Sequence, residues 1–212
     1  MKTVKIKFAK LFVLGWLFLV LGIVGYTFWM NELKYNLPTP IPENHIEIAK
    51  GSTPNLTQLM TTATGKPMLI HFFNPKCPCS RFNIRHFKSL VKKYKNEFSF
   101  SLVVMTDDKS QNQATIQEEF DLDLPVYFDE TIAERCGVIS TPQAVILDDN
   151  GKLFYRGNYN KSRYCTDAKS DYARMAIDSL LAKKHLPEFN AQAHVAYGCS
   201  LPSATKCIIA KK

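Results

Sequence analysis

Two cysteines flank one proline at Cys77-Pro78-Cys79, between a strand-like run and a helix-like run, and a Thr141-Pro142 pair precedes a second strand-like run further along. Proline suits the first position of a helix, where its missing N–H costs nothing, so Pro78 places Cys77 at the N-cap. A thiolate there accepts hydrogen bonds from the first-turn N–H groups and feels the positive end of the helix dipole. Both effects lower a cysteine pKa below its usual value of about 8.5. Lys76 and Arg81 add positive charge nearby. Cys77 therefore reads as the nucleophilic thiol and Cys79 as its resolving partner. The spacing is tight, because residues i and i+2 of a helix point to nearly opposite sides. A local bridge needs Cβ atoms about 3.5–4.5 Å apart, which only the β-like dihedrals of an N-cap would allow. Paired thiolates also suit Cu(I), so a copper-binding or metallochaperone module is the alternative use of Cys77 and Cys79.

The elements that would position these residues are legible from periodicity. Met68-Leu69-Ile70-His71-Phe72-Phe73 is an almost wholly apolar run ended by Asn74-Pro75, as expected of a strand buried on both faces. Phe87, Leu90, Val91 and Tyr94 fall at i, i+3, i+4 and i+7, which predicts a helix over 78–94 with Lys88, Lys92 and Lys93 outside its apolar stripe. Residues 98–105 read as a second strand, 111–120 as a helix and 125–128 as a short extended piece. Strands over 143–147 and 153–156 are joined by Asp148-Asp149-Asn150-Gly151, a strong hairpin signal. A last helix follows Asp167, with Ala173, Ile177, Leu180 and Leu181 on its core face, and ends near 185–187. Ahead of the core, 45–49 reads as a short edge strand and 55–62 as a helix. A βαβ start with an antiparallel hairpin later implies one mixed sheet covered by helices on both faces.

The chain has 212 residues and a net charge of +8. Lys2, Lys5, Lys7 and Lys10 precede an uncharged apolar run over 11–30, long enough at 1.5 Å per residue to cross a hydrocarbon core of about 30 Å. No small-x-small cleavage triplet closes the run, so it reads as an uncleaved anchor with the lysines cytoplasmic and everything after Met30 on the far side. Without those lysines the net charge falls to +4, which gives no case for nucleic acid. Pro38, Pro40 and Pro42 mark an extended linker. All six cysteines lie beyond the anchor, and an even count in an oxidising compartment suggests disulfides. Their connectivity is open. The reading taken is a structural disulfide tying the tail after Pro187 to the domain, with Cys165 and Cys199 as the candidate pair.

The segment from Leu69 through Cys79 resembles the first strand and active-site loop of the thioredoxin-like superfamily. Cys136-Gly137-Val138-Ile139-Ser140-Thr141-Pro142-Gln143, followed by Gly151-Lys152-Leu153-Phe154-Tyr155-Arg156-Gly157, is similar to that superfamily's cis-proline hairpin, especially in membrane-anchored oxidoreductases of the bacterial envelope. The resemblance implies an α/β fold with a mixed sheet, a cis Thr141-Pro142 that lies against the active cysteines and binds the substrate backbone, and thiol/disulfide exchange with protein substrates. It also implies a redox partner in the membrane or periplasm and no organic cofactor. Three departures stand out. The residues between the cysteines are one fewer than usual, Lys76 replaces the usual tryptophan, and His71 stands where a buried aspartate moves protons for the resolving thiol. With an ordinary pKa of about 6.5, His71 could do that job. The peroxidase loop of a related family has threonine or serine where Asn74 stands, and a non-catalytic binding protein on the same frame is a further alternative. The organisation expected is a basic N-terminus (1–10), an anchor (11–30), a linker and extension (31–66), a thioredoxin-like domain (67–186) and a tail with two cysteines (187–212).

Overall fold

The computed structural model describes residues 2–43, 45–61 and 65–202, with backbone alone for 2–9. It divides into one unit through Leu37 and another from Pro38 onward. In the first, helix α1 (Lys2–Phe28) continues through a π-helical turn, Trp29–Leu33, into α2 (Lys34–Asn36). The stretch Lys10–Asn36 is long and apolar enough to cross a membrane, and its side chains are not buried. The helix outlasts the expected end at Met30 because no breaker occurs before Pro38, whose ring disfavours helical dihedrals at Leu37. Leu37 is extended, with φ −74° and ψ 147°.

In the second unit, β1 (Met68–Phe73), α3 (Pro78–Tyr94) and β2 (Ser99–Val104) form the parallel crossover. Next come α4 (Gln113–Phe120), β3 (Val126–Tyr127), α5 (Glu130–Cys136), β4 (Ser140–Thr141), β5 (Gln143–Leu147), β6 (Leu153–Gly157), α6 (Tyr172–Leu181) and β7 (Cys199–Ser200). The main sheet has the order β3-β2-β1-β5-β6, parallel across β1, β2 and β3 and antiparallel across β5 and β6. Strands β4 and β7 form a separate two-stranded sheet. This is the thioredoxin-like arrangement, with its hairpin led by proline.

All six residues of β1 are buried. Its alternation explains why: Leu69 and Phe73 enter a core with Phe87, Leu90 and Tyr94 of α3, Ile116 of α4 and Ile177 of α6. Met68, Ile70 and Phe72 enter a second core with Ile132, Ala133 and Cys136 of α5. Helices thus cover both faces, as the continuous apolar run requires. In the hairpin, Asp148 accepts from the N–H groups of Asn150 and Lys152 at 2.9 and 2.8 Å, while Gly151 takes φ 74°.

Several segments differ from the sequence reading. Residues 45–49 form no strand; Gly51 and Ser52 instead exchange backbone hydrogen bonds with Leu153 at 2.8 Å each, laying the segment along β6. Around residues 55–61 there is only one turn, which buries Leu56 and Met60; the rest of that expected helix lies outside the described residues. Helix α5 had no stripe long enough to announce it, and is defined by its ends: Asp129 accepts from the Thr131 N–H at 2.8 Å, and Gly137 closes it at φ 66°. Helix α6 stops at Leu181 because Lys183 turns left-handed (φ 53°) and the N–H groups of Lys183 and Lys184 bond back to Leu180 and Ser179. The described part of the tail packs against the domain: Leu186 and Phe189 cover the first core, and Leu201 enters the second.

Candidate active site

The loop between β1 and α3 is shaped by Asn74. Its carbonyl accepts from the Cys77 N–H at 3.0 Å, its side-chain oxygen accepts from the Lys76 N–H at 2.9 Å, and its own N–H donates to Ser80 Oγ at 3.2 Å. Cys77 is the N-cap, at φ −83° and ψ 121°, and its carbonyl accepts the first helical bond from Arg81 at 3.1 Å. Pro78 opens the helix. No acidic residue lies in the first turn. Thr141–Pro142 is cis, and the Thr141 carbonyl oxygen lies 3.6 Å from Cys77 Sγ. The structure therefore brings Cys77 and the Thr141-Pro142 pair together.

The partner of Cys77 is Cys199. The two form a disulfide across 122 residues of sequence, with Cα atoms 6.1 Å apart. Cys199 is carried by β7, which pairs antiparallel with β4 in the register Thr141↔Cys199 and Ser140↔Ser200. Gly198 makes this approach possible. It sits at φ +112°, and a Cβ there would collide with the Thr141 carbonyl oxygen and lie 3.6 Å from Pro142 Cδ.

The expected pairing of Cys165 with Cys199 is corrected by this bond. Cys165 remains a thiol, accepting a hydrogen bond from Asn83 Nδ2 at 3.0 Å, and burial pushes its pKa up to about 12. Cys79, expected to resolve Cys77, is a fully buried thiol in the first turn of α3. Cys136 is packed in the second core, where burial pushes it up to about 12. Cys207 lies outside the described residues. With Cys77 in a disulfide, the two-thiolate copper pair is not formed in this state, and the described residues contain no group of three or more His, Cys, Asp or Glu placed to hold a metal.

The cations expected to activate Cys77 are engaged elsewhere. Lys76 Nζ is 3.1 Å from Asp108 and Arg81 lies 3.9 Å from Glu119. Hydrogen bonds from Ser110, with a smaller contribution from Lys76, hold the Asp108 carboxyl down at about 2. What remains to stabilise a Cys77 thiolate is the helix N-terminus itself. His71 is also differently placed from a proton relay tuned to neutral pH. Its ring is fully buried and stacked on Phe87 at 4.4 Å, and Nδ1 lies 2.8 Å from the Tyr159 hydroxyl. Burial, and secondarily the positive charge that His86 can carry, push its pKa down to about 3. The imidazole is therefore neutral at physiological pH, which removes the titration that motivated a relay role.

Sequence reasoning missed Cys199 and Gly198 as parts of the site. The available signal was negative: a Cys-x-Cys pair at a helix start leaves Cys77 better matched to a sulfur from elsewhere in the chain.

Among solved structures, the chain is similar to a hypothetical protein from Sinorhizobium meliloti 1021, at 15% identity and a TM-score of 0.60, over 74% of this chain and 95% of that one. It is also similar to an uncharacterized conserved protein from Geobacillus kaustophilus, at 23% identity and 0.57, over 79% and 92%. The thioredoxin domain of a thiol-disulfide oxidoreductase from Bacteroides vulgatus matches at 16% identity and 0.44, over 57% and 96%. No curated protein matches the chain. The family match runs over residues 47–201, from the segment beside β6 to the end of the tail strand that meets Cys77, and on that extent the chain belongs to the family described as a domain of unknown function (DUF6436).

Proposed function

We propose that the chain is a membrane-anchored thiol/disulfide oxidoreductase acting on protein thiols outside the cytoplasm, with Cys77 as the sulfur through which exchange passes. The observation that carries this reading is the disulfide of Cys77 at the N-cap of α3, against the cis Thr141–Pro142 peptide. Exchange runs by thiolate attack on a disulfide sulfur, and the sulfur whose thiol has the lower pKa leaves faster. The first-turn N–H groups of α3 favour the thiolate form of Cys77. Thr141, paired through its backbone at β4, and Pro142 form the wall against which a partner's sulfur would be held.

The N-terminus supports this location. Lys2, Lys5, Lys7 and Lys10 precede the apolar helix and would remain cytoplasmic, leaving the redox unit on the oxidising side, where a disulfide persists. A redox partner in the membrane or periplasm would supply or withdraw the two electrons of each cycle. The test is turnover by the full chain in detergent, with dithiothreitol as reductant and a disulfide-bonded peptide as acceptor. Cys77→Ser is expected to lower turnover by about 1,000-fold or more, and undiminished turnover in that variant sinks the reading.

A further inference from the structure

We propose that Cys199, rather than Cys79, is the second redox cysteine, and that a partner's sulfur bonds to it first. The proposal rests on the reading of Cys77 as the exchange centre. Three observations carry it. The first is access: Cys77 is 2% exposed beneath the tail, Cys79 is 0% exposed, and Cys199 is only half-buried. An incoming thiolate therefore meets the disulfide from the Cys199 side. The second is the leaving group. Attack on Cys199 expels Cys77, whose sulfur is the one placed at a helix N-terminus.

The third is that the tail is seated by contacts other than the disulfide. Asn158 Nδ2 donates to the carbonyls of Gln192 and Val195 at 2.8 and 2.7 Å, Tyr197 donates to the Asn160 carbonyl at 2.7 Å, and Ser140 donates to the Tyr197 carbonyl at 3.2 Å. Leu201, just beyond the strand, is buried in the second core. Breaking the S–S bond thus leaves Cys199 tethered on both sides and ready to close again. Only the two-residue β4–β7 ladder has to loosen for a partner to enter.

The cycle balances as follows. A partner thiolate attacks Cys199 Sγ, a partner–Cys199 bond forms, the Cys77–Cys199 bond breaks, and Cys77 leaves with the electron pair as a thiolate. The partner's second thiolate attacks its own sulfur in the mixed disulfide, closing the partner's disulfide and releasing Cys199 as a thiolate that takes a proton from water. Two electrons pass from a protein dithiol to the chain. In reverse, Cys199 attacks a partner disulfide and Cys77 resolves it.

The experiment uses the full chain in detergent. In wild type, dithiothreitol treatment followed by differential alkylation and peptide mapping is expected to show Cys77 and Cys199 changing state together, with Cys79 a thiol throughout. The reduced Cys77→Ser chain, given the disulfide-bonded peptide, is expected to accumulate that peptide on Cys199. Cys199→Ser is expected to lower turnover by about 100-fold. Near-wild-type turnover in Cys199→Ser overturns the assignment, as does a turnover-derived bond between Cys77 and Cys79, or a Cys77–Cys199 bond that stays intact while turnover proceeds. If Cys199→Ser does not fold, the wild-type peptide map still decides. Continued turnover in Cys77→Ser would instead count against exchange at Cys77, so the two failures are distinguishable.

Discussion

Pro78 decides the fates of its two neighbours. By starting the helix it leaves Cys77 outside the helical dihedrals and puts Cys79 inside them, so the two sulfurs occupy different surroundings two residues apart. His71, one strand away, illustrates how burial overrides residue type. An imidazole in water titrates near 6.5, but here desolvation holds it neutral down to about 3. Burial likewise raises the Tyr159 phenol, so the His71–Tyr159 pair is an uncharged hydrogen bond. The linkage has a definite sign. Below 6.5 the unfolded chain takes up a proton that folded His71 refuses, so its stabilising contribution is complete above about pH 6.5 and is lost progressively as pH falls toward 3. Between pH 8 and pH 5 this one group should cost about 2 kcal/mol of stability. The measurement is the urea midpoint at both pH values in wild type and His71→Leu. The pH dependence should shrink in the variant by that amount, and an unchanged slope would mean that His71 is not held neutral.

At the scale of elements, β7 is two residues long and its partner strand lies far back in the chain, so its position depends on fit rather than on propensity. Gly198 supplies that fit, and Gly198→Ala should disturb it twice: through a φ of +112° that alanine avoids and through collision with the Thr141 carbonyl. A local cost of about 1.4 kcal/mol corresponds to a tenfold change in tail opening, so the Cys77–Cys199 bond in Gly198→Ala should be reduced by dithiothreitol about tenfold faster than in wild type. Equal rates would show that the tail does not gate access. Asn158→Ala should act in the same direction by removing two hydrogen bonds from a buried residue to the tail, at about 1–3 kcal/mol. Hydrogen exchange at the tail amides is the readout. The contrast with the core elements explains what could be read in advance. The apolar run of β1, the stripe of α3 and the Asn150-Gly151 turn each encode their structure locally, and all three formed where their patterns placed them. Tyr197-Gly198-Cys199-Ser200 has no periodicity, and its role depends on a distant surface. The same limit applies to residues 45–49, whose alternation suggested a strand, whereas the backbone bonds to β6 are made just beyond them by Gly51 and Ser52.

For the whole molecule, the proposed function depends on which side of a membrane the second unit would face, because the compartment decides whether a Cys77–Cys199 bond stays closed. The chain carries the determinants at one end. Four lysines lie before the apolar helix, and the first acidic residue, Glu32, appears only at its far end. Cationic flanks resist transfer across the bilayer, and the bias is strongest within about 15–20 residues of a spanning segment, which places Lys2 to Lys10 inside its reach. A membrane-impermeant maleimide applied to intact cells should therefore label Lys50→Cys, at an exposed position after the helix, and should label Thr3→Cys only after permeabilisation. Replacing Lys2, Lys5, Lys7 and Lys10 by glutamate should weaken or invert that pattern while leaving the fold of the second unit unchanged, since its two cores draw on no residue before Ile48. Labelling of Thr3→Cys in intact cells would place the redox unit in the reducing compartment. There the Cys77–Cys199 bond would be opened continuously by ambient thiols, and the proposed extracytoplasmic role would fail with it.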